Sequence, residues 1–133
     1  MSQENVEVVA EYTQSAARGV DAMAELWDPD ISYRAAEGAI DDAGELRGPD
    51  AVRRYVQDWF DMFDDLSAVA EELIDAGDDR VVAVMRMTGR AKVSGIETDI
   101  RFSVVYTLRD GKIVHGREYM EKEQALESVG LRK

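Results

Sequence analysis

The chain has 133 residues, enough for one domain with a real core, and 45% of them are apolar, which argues against disorder. With 28 acidic against 16 basic residues the formal net charge is −12, so a phosphate backbone is repelled and nucleic acid is excluded as a partner. There is no cysteine and one histidine, which removes disulfides, thiolate chemistry and multi-histidine zinc sites.

From residue 2 onward, Val6, Val9, Ala10, Thr13, Ala16 and Ala17 recur at helical spacing. Glu4 falls in the first turn, where the helix dipole favours an anion. Tyr12 borders that stripe, and Gly19 ends the helix. A short helix over 21–26 follows, with Met23, Leu26 and Trp27 inward, until Asp28-Pro29-Asp30 breaks it. Residues 31–35 predict a short strand carrying Tyr33. Residues 36–47 are rich in glycine and acid and too polar for a core element, so they predict a surface loop or a flap at a pocket mouth.

Gly48-Pro49-Asp50 starts a third helix, with proline near its first turn. Val52, Tyr55, Val56, Trp59, Phe60 and Phe63 form a wide apolar stripe along it, and Arg53, Arg54, Gln57, Asp58 and Asp61 fall on the other side. This helix must lie on a sheet. Strands over 66–74 and 80–90 follow, separated by a turn at 76–79. The second of them puts Val81, Ala83, Met85 and Met87 on one face and Val82, Val84, Arg86 and Thr88 on the other.

A turn around Ser94-Gly95 leads into a hairpin over 100–121. Its signal is Asp110-Gly111 between two β-rich runs. Ile100, Phe102, Val104, Tyr106 and Leu108 share one face of the first strand. In the second, strict alternation separates Ile113, His115, Arg117 and Tyr119 from Val114, Gly116, Glu118 and Met120. Residues 121–131 predict a short terminal helix. No repeat, low-complexity segment or linker interrupts the chain, so 1–133 reads as a single domain of α+β class. No apolar run approaches the roughly 18 residues that cross a bilayer, and no leader precedes the first helix, so the sequence predicts a cytoplasmic protein with no membrane partner.

Glu118 is the sharpest chemical candidate. Its neighbours two residues away are Gly116 and Met120, and the facing strand offers Phe102 and Val104. A carboxyl among such groups is expected to resist ionising, which suits a general acid/base near neutral pH. Tyr12 and Tyr33 can donate hydrogen bonds to a developing enolate or hold a water. Met85, Met87 and Met120 suit an adaptable ligand site, and Trp27, Trp59 and Phe60 its wall. Met23, Val56, Phe102, Val104, Val114 and Gly116 complete the expected lining. Each of these apolar residues serves equally well as plain core, and Glu118 equally well as a structural partner of an arginine. His115 falls on the opposite face, as an interface or surface residue. That outer face also carries Val82, Val84, Val105 and Tyr119 among Arg86, Arg101, Ser103 and Arg117, and so much apolar area predicts a two-fold homodimer packed through it.

Three strings, AEYTQSAARGVDAMAELWDPDISYR, ELRGPDAVRRYVQDWF and VVYTLRDGKIVHGREYMEKEQAL, resemble the SnoaL-like branch of the NTF2-like superfamily. That group includes ketosteroid isomerases, polyketide cyclases and limonene-type epoxide hydrolases. The resemblance implies a cone-shaped domain: a curved, mostly antiparallel sheet of about six strands, with three helices from the first half enclosing an apolar pocket. It implies no cofactor and no metal. Tyr12 matches the isomerases' oxyanion tyrosine, whereas their two aspartates match Ala35 and Val104. Glu118 matches the epoxide hydrolases' last-strand aspartate and Tyr33 their water-holding tyrosine. Their asparagine falls on Ala35, and their arginine and second aspartate on Met85 and Met87. Two functions are therefore expected. One is a cofactor-independent isomerase, cyclase or hydrolase acting on a small apolar molecule through Glu118. The other is a non-catalytic binder or dimeric accessory protein that uses the same cavity.

Overall fold

The computed structural model describes residues 2–36 and 44–131. Helix α1 (Ser2–Ser15) runs into a 3-10 turn (Ala16–Arg18), and Gly19 redirects the chain into the short α2 (Val20–Ala24). Strand β1 (Trp27–Arg34) and the short β2 (Glu45–Arg47) precede α3 (Pro49–Met62). Four strands follow: β3 (Phe63–Gly77), β4 (Arg80–Ala91), β5 (Glu97–Arg109) and β6 (Lys112–Tyr119), and then α4 (Lys122–Ser128). The sheet order is β2-β1-β6-β5-β4-β3. Every neighbouring pair is antiparallel except β1 with β6, which are parallel.

The sheet bends because its ladders are interrupted. β3 slips register against β4 at three places, and each slip adds local twist. The β3–β4 and β5–β6 connections are tight turns. Asp78 and Asp79 in one, and Asp110 and Gly111 in the other, take positive φ at both central positions, the primed geometry that matches strand twist. Helix α1 packs on β3 and β4, and α3 on β1 and β3, so both lie over the same concave face. The main core lies between: Val9, Tyr12, Met23, Ile31, Val52, Val81, Ala83, Val104, Leu108 and Ile113 are all buried there. No helix among the described residues is long and apolar enough to cross a membrane.

Several expectations change. Asp28-Pro29-Asp30 does not end a helix; it forms a slip in β1 between Trp27 and Ser32. The Asp28 carboxylate holds that slip by accepting hydrogen bonds from Arg109 Nη2 (2.9 Å) and from the Asp30 backbone N–H (2.8 Å). The Arg109 guanidinium beside it keeps the Asp28 carboxyl below the usual carboxylate range. Part of the expected loop over 36–47 is strand β2, paired with β1; residues 37–43 of the expected flap lie outside the described residues.

Strict alternation also fails in β6. Thr107 faces His115 but Leu108 faces Ile113, so Val114 is an extra residue. The bulge reverses parity. Ile113 enters the core at 1% exposure, and Val114 leaves the inner set. On the outer face, α4 covers part of the apolar area foreseen as a dimer surface. Val82 and Val105 are buried there against Ala125 and Val129 of the same chain.

Gly116 has a demanding position. It pairs with Tyr33 on one side and Tyr106 on the other. A Cβ at this residue would stand 2.6 Å from two carbons of the Tyr33 ring and 3.4 Å from Tyr106. The missing side chain is what lets the Tyr33 ring lie against the β6 backbone. Gly116→Ala is expected to cost about 1–3 kcal/mol in urea unfolding, as overpacking does. Unchanged stability would show that the ring is free to move aside.

Candidate functional site

Between the helices and the concave sheet lies a cavity of about 400 Å³. Helical spacing in α3 turns Val52, Tyr55, Val56, Trp59 and Phe60 into it. Tyr12 and Thr13 reach it from α1, Ala16 from the 3-10 turn and Met23 from α2. The strands add Leu66 and Ala68 from β3, Met85 and Met87 from β4, and Ile100, Phe102 and Tyr106 from β5. Tyr33, Ala36, Glu118 and Met120 close one side. Glu118 is the one charged side chain in the lining among the described residues.

The carboxylate is held by three donors, two from the end of β1 and the residues just after it and one from α3. Tyr33 Oη donates to Glu118 Oε2 at 2.5 Å. Tyr55 Oη lies 3.1 Å from Oε1 and 3.3 Å from Oε2. The Ala36 backbone N–H donates to Oε1 at 3.4 Å. Neutral donors aimed at a carboxylate stabilise its charged form, whereas the apolar lining opposes that form. The two phenol rings pack on each other with centroids 5.7 Å apart.

Tyr12 is held differently. Its hydroxyl accepts the Trp27 Nε1–H at 3.0 Å, and its ring packs edge-on against Tyr106 with centroids 5.5 Å apart. Burial pushes the Tyr12 phenol up to about 12, with the Glu118 charge adding and the Trp27 N–H opposing. Tyr33 is raised well above the ordinary phenol range, first by burial and then by the Glu118 charge. Tyr106 is raised by burial, Tyr12 and Glu118. These three phenols therefore stay neutral and protonated through the working pH range, as donors rather than bases.

Of the residues named from sequence, Glu118, Tyr12, Tyr33, Met23, Val56, Trp59, Phe60, Met85, Met87, Phe102 and Met120 line the cavity. Four do not. Trp27 sits at the start of β1 and supports Tyr12 from behind. Val104 is sealed in the core at 1% exposure. Val114 is displaced by the bulge, and Gly116 is covered by the Tyr33 ring. Sequence reasoning missed Tyr55 as a polar group of the site. Its signal was present: it is the one hydroxyl in an otherwise apolar helical stripe, and a phenol turned inward needs a partner. His115 lies on the outer face, sharing a 2.7 Å hydrogen bond with Ser32. No cluster of three or more His, Asp or Glu side chains is placed to hold a metal ion among the described residues.

The SnoaL-like domain family matches residues 8–116. No curated protein sequence matches the chain. Among solved structures, the fold is shared with Bal32a from a soil-derived mobile gene cassette, at 22% identity over 96% of this chain and 97% of that one, with a TM-score of 0.79. TerC co-crystallised with polyporic acid shares it at 19% identity over 95% and 98% of the two chains, with a TM-score of 0.73. A Catenulispora acidiphila protein with a ketosteroid isomerase-like fold, solved in complex with trimethylamine, matches at 18% identity over 94% and 93%, with a TM-score of 0.72. At these identities the structures speak for the fold alone, but the sequence match spans most of the residues that build the sheet and its cavity. The chain belongs to the SnoaL-like domain family.

Proposed function

We propose that the cavity binds a small, largely apolar molecule and that Glu118 moves a proton on it as a general acid/base. The observation that carries this reading is one carboxylate, gripped by two phenols, on the wall of an otherwise apolar cavity of about 400 Å³. A carboxylate so placed can take a proton from carbon next to a carbonyl, or from a water attacking an epoxide. Tyr12 is the candidate donor to the oxygen on which charge develops. Its hydroxyl accepts from Trp27, so its own proton remains to be given. A relative of the same fold, TerC, was crystallised with polyporic acid, which supports an organic small molecule as the kind of ligand.

A second reading also has an observation in its favour. Both Glu118 oxygens already accept hydrogen bonds, and the positions that match the isomerases' aspartates hold Ala35 and Val104. A binder without catalysis would use the same cavity and form no product.

The two readings separate in heavy water. If Glu118 is a base, the protein catalyses deuterium incorporation beside the carbonyl of a cyclic or bicyclic ketone, read by NMR. Glu118→Gln is expected to lower that rate by about 10²-fold or more while circular dichroism stays unchanged. Equal exchange by the parent and the variant would remove Glu118 from any catalytic role. Saturable binding of the ketone without exchange would favour the binder.

A further inference from the structure

Tyr106 carries a hydroxyl that the fold itself does not use. The residue is 6% exposed. Its ring lies edge-on to Tyr12, with centroids 5.5 Å apart, and against the Gly116 backbone, where an added Cβ would stand 3.4 Å from it. Among the described residues no hydrogen bond reaches the Tyr106 Oη, and the side-chain polar atom that is both sealed from space and without a partner is Arg80 Nε. The Tyr106 oxygen is therefore open to the cavity that the residue lines. An unpaired hydroxyl in an apolar enclosure is costly. A phenylalanine fills the same face of β5 two rows away, at Phe102, without that cost. The neighbouring phenol repeats the pattern. Tyr12 Oη accepts the Trp27 Nε1–H, and its own proton has no acceptor among the described residues. Both phenols stay protonated, and a charge on Tyr12 would raise Tyr106 further, so the two oxygens lie within electrostatic reach of each other.

We infer that Tyr106 is a second hydrogen-bond donor to the ligand, and that with Tyr12 it receives one carbonyl oxygen, so that the cavity takes a ketone or a related carbonyl compound. The inference rests on the cavity being the ligand site, as proposed above, and holds whether or not Glu118 transfers a proton. A carbonyl oxygen has two lone pairs in one plane and accepts both protons. A hydrocarbon of the same shape accepts neither, and leaves two buried hydroxyls unpaired. The donors are fixed in advance, because each ring is held by packing: Tyr12 by Trp27 and Tyr106, and Tyr106 by Tyr12 and the Gly116 backbone. If a proton leaves the carbon beside the carbonyl, charge gathers on the oxygen that the two phenols hold, and both hydrogen bonds strengthen.

The probe is decalone, a bicyclic ketone, labelled with carbon-13 at its carbonyl and titrated into the parent protein, Tyr106→Phe and Tyr12→Phe. NMR follows the carbonyl resonance, which hydrogen bonds pull downfield, and deuterium exchange beside the carbonyl is measured in the same samples. In the parent the bound resonance is expected at or downfield of its position in water. In each variant it is expected upfield of the parent's, with binding about tenfold weaker and circular dichroism unchanged. A bound resonance in the parent that lies near its position in cyclohexane overturns the inference and needs no variant to do so. So does a resonance that Tyr106→Phe leaves in place, or a Tyr106→Phe protein that binds decalone as tightly as the parent; each leaves the cavity standing as a ligand site. A downfield shift lost in both variants, with no exchange in any sample, upholds the pair of donors and counts against Glu118 as a base. Failure of decalone to bind the parent overturns the inference together with the reading of the cavity as a ligand site.

Discussion

The contact on which the site depends is the hydrogen bond from Tyr33 to Glu118, 2.5 Å long between the start and the end of the chain. Tyr33 belongs to β1 and Glu118 to β6, strands separated by the whole of α3 and three long strands. They meet because β1 runs parallel to β6, in the one parallel pairing among the described residues, with Tyr33 directly opposite Gly116. The glycine leaves room for the ring to cross the backbone, and the hydroxyl then reaches the carboxylate two residues further along. Had this pairing been antiparallel, or position 116 filled, the phenol and the acid would not share a corner.

Tyr55 closes that corner from above. It arrives on α3, which the sheet holds through the apolar stripe that also walls the cavity. One helix face thus supplies burial and one polar contact, and the contact fixes the carboxylate relative to the roof. The physical outcome is a division of roles among groups of similar type. Burial holds the Tyr12, Tyr33 and Tyr106 phenols neutral, and Tyr33 donates to the carboxylate, which accepts. Trp27 extends the same logic one layer back by orienting Tyr12 without reaching the cavity itself.

Local signals made much of this legible. Asp110-Gly111 marked the hairpin, the spacing in α3 marked its inner face, and the alternation in β4 placed Met85 and Met87 inward. Glu118 followed from parity in β6, and the quoted strings carried the resemblance to the family. What was not legible depended on contacts between distant segments or on single inserted residues. Nothing local in β1 declares that it will pair in parallel with β6. Pro29 looked like a helix breaker because its neighbours' role as a strand slip is set by Arg109, far along the chain. The extra residue at Val114 reversed the parity of Ile113, and no composition signal announces such a bulge. Tyr55 was hidden inside an apolar stripe because its partner, Glu118, lies 63 positions away.

The account's central claim is that the Tyr33 phenol donates to the Glu118 carboxylate on the wall of an apolar cavity. It is tested most directly by following the carbon-13 resonance of the Glu118 carboxyl through a pH titration, in the parent protein and in Tyr33→Phe. The phenol stabilises the charged form, so its removal is predicted to move the midpoint to higher pH. A midpoint that stays where it was, or moves to lower pH, would contradict the account.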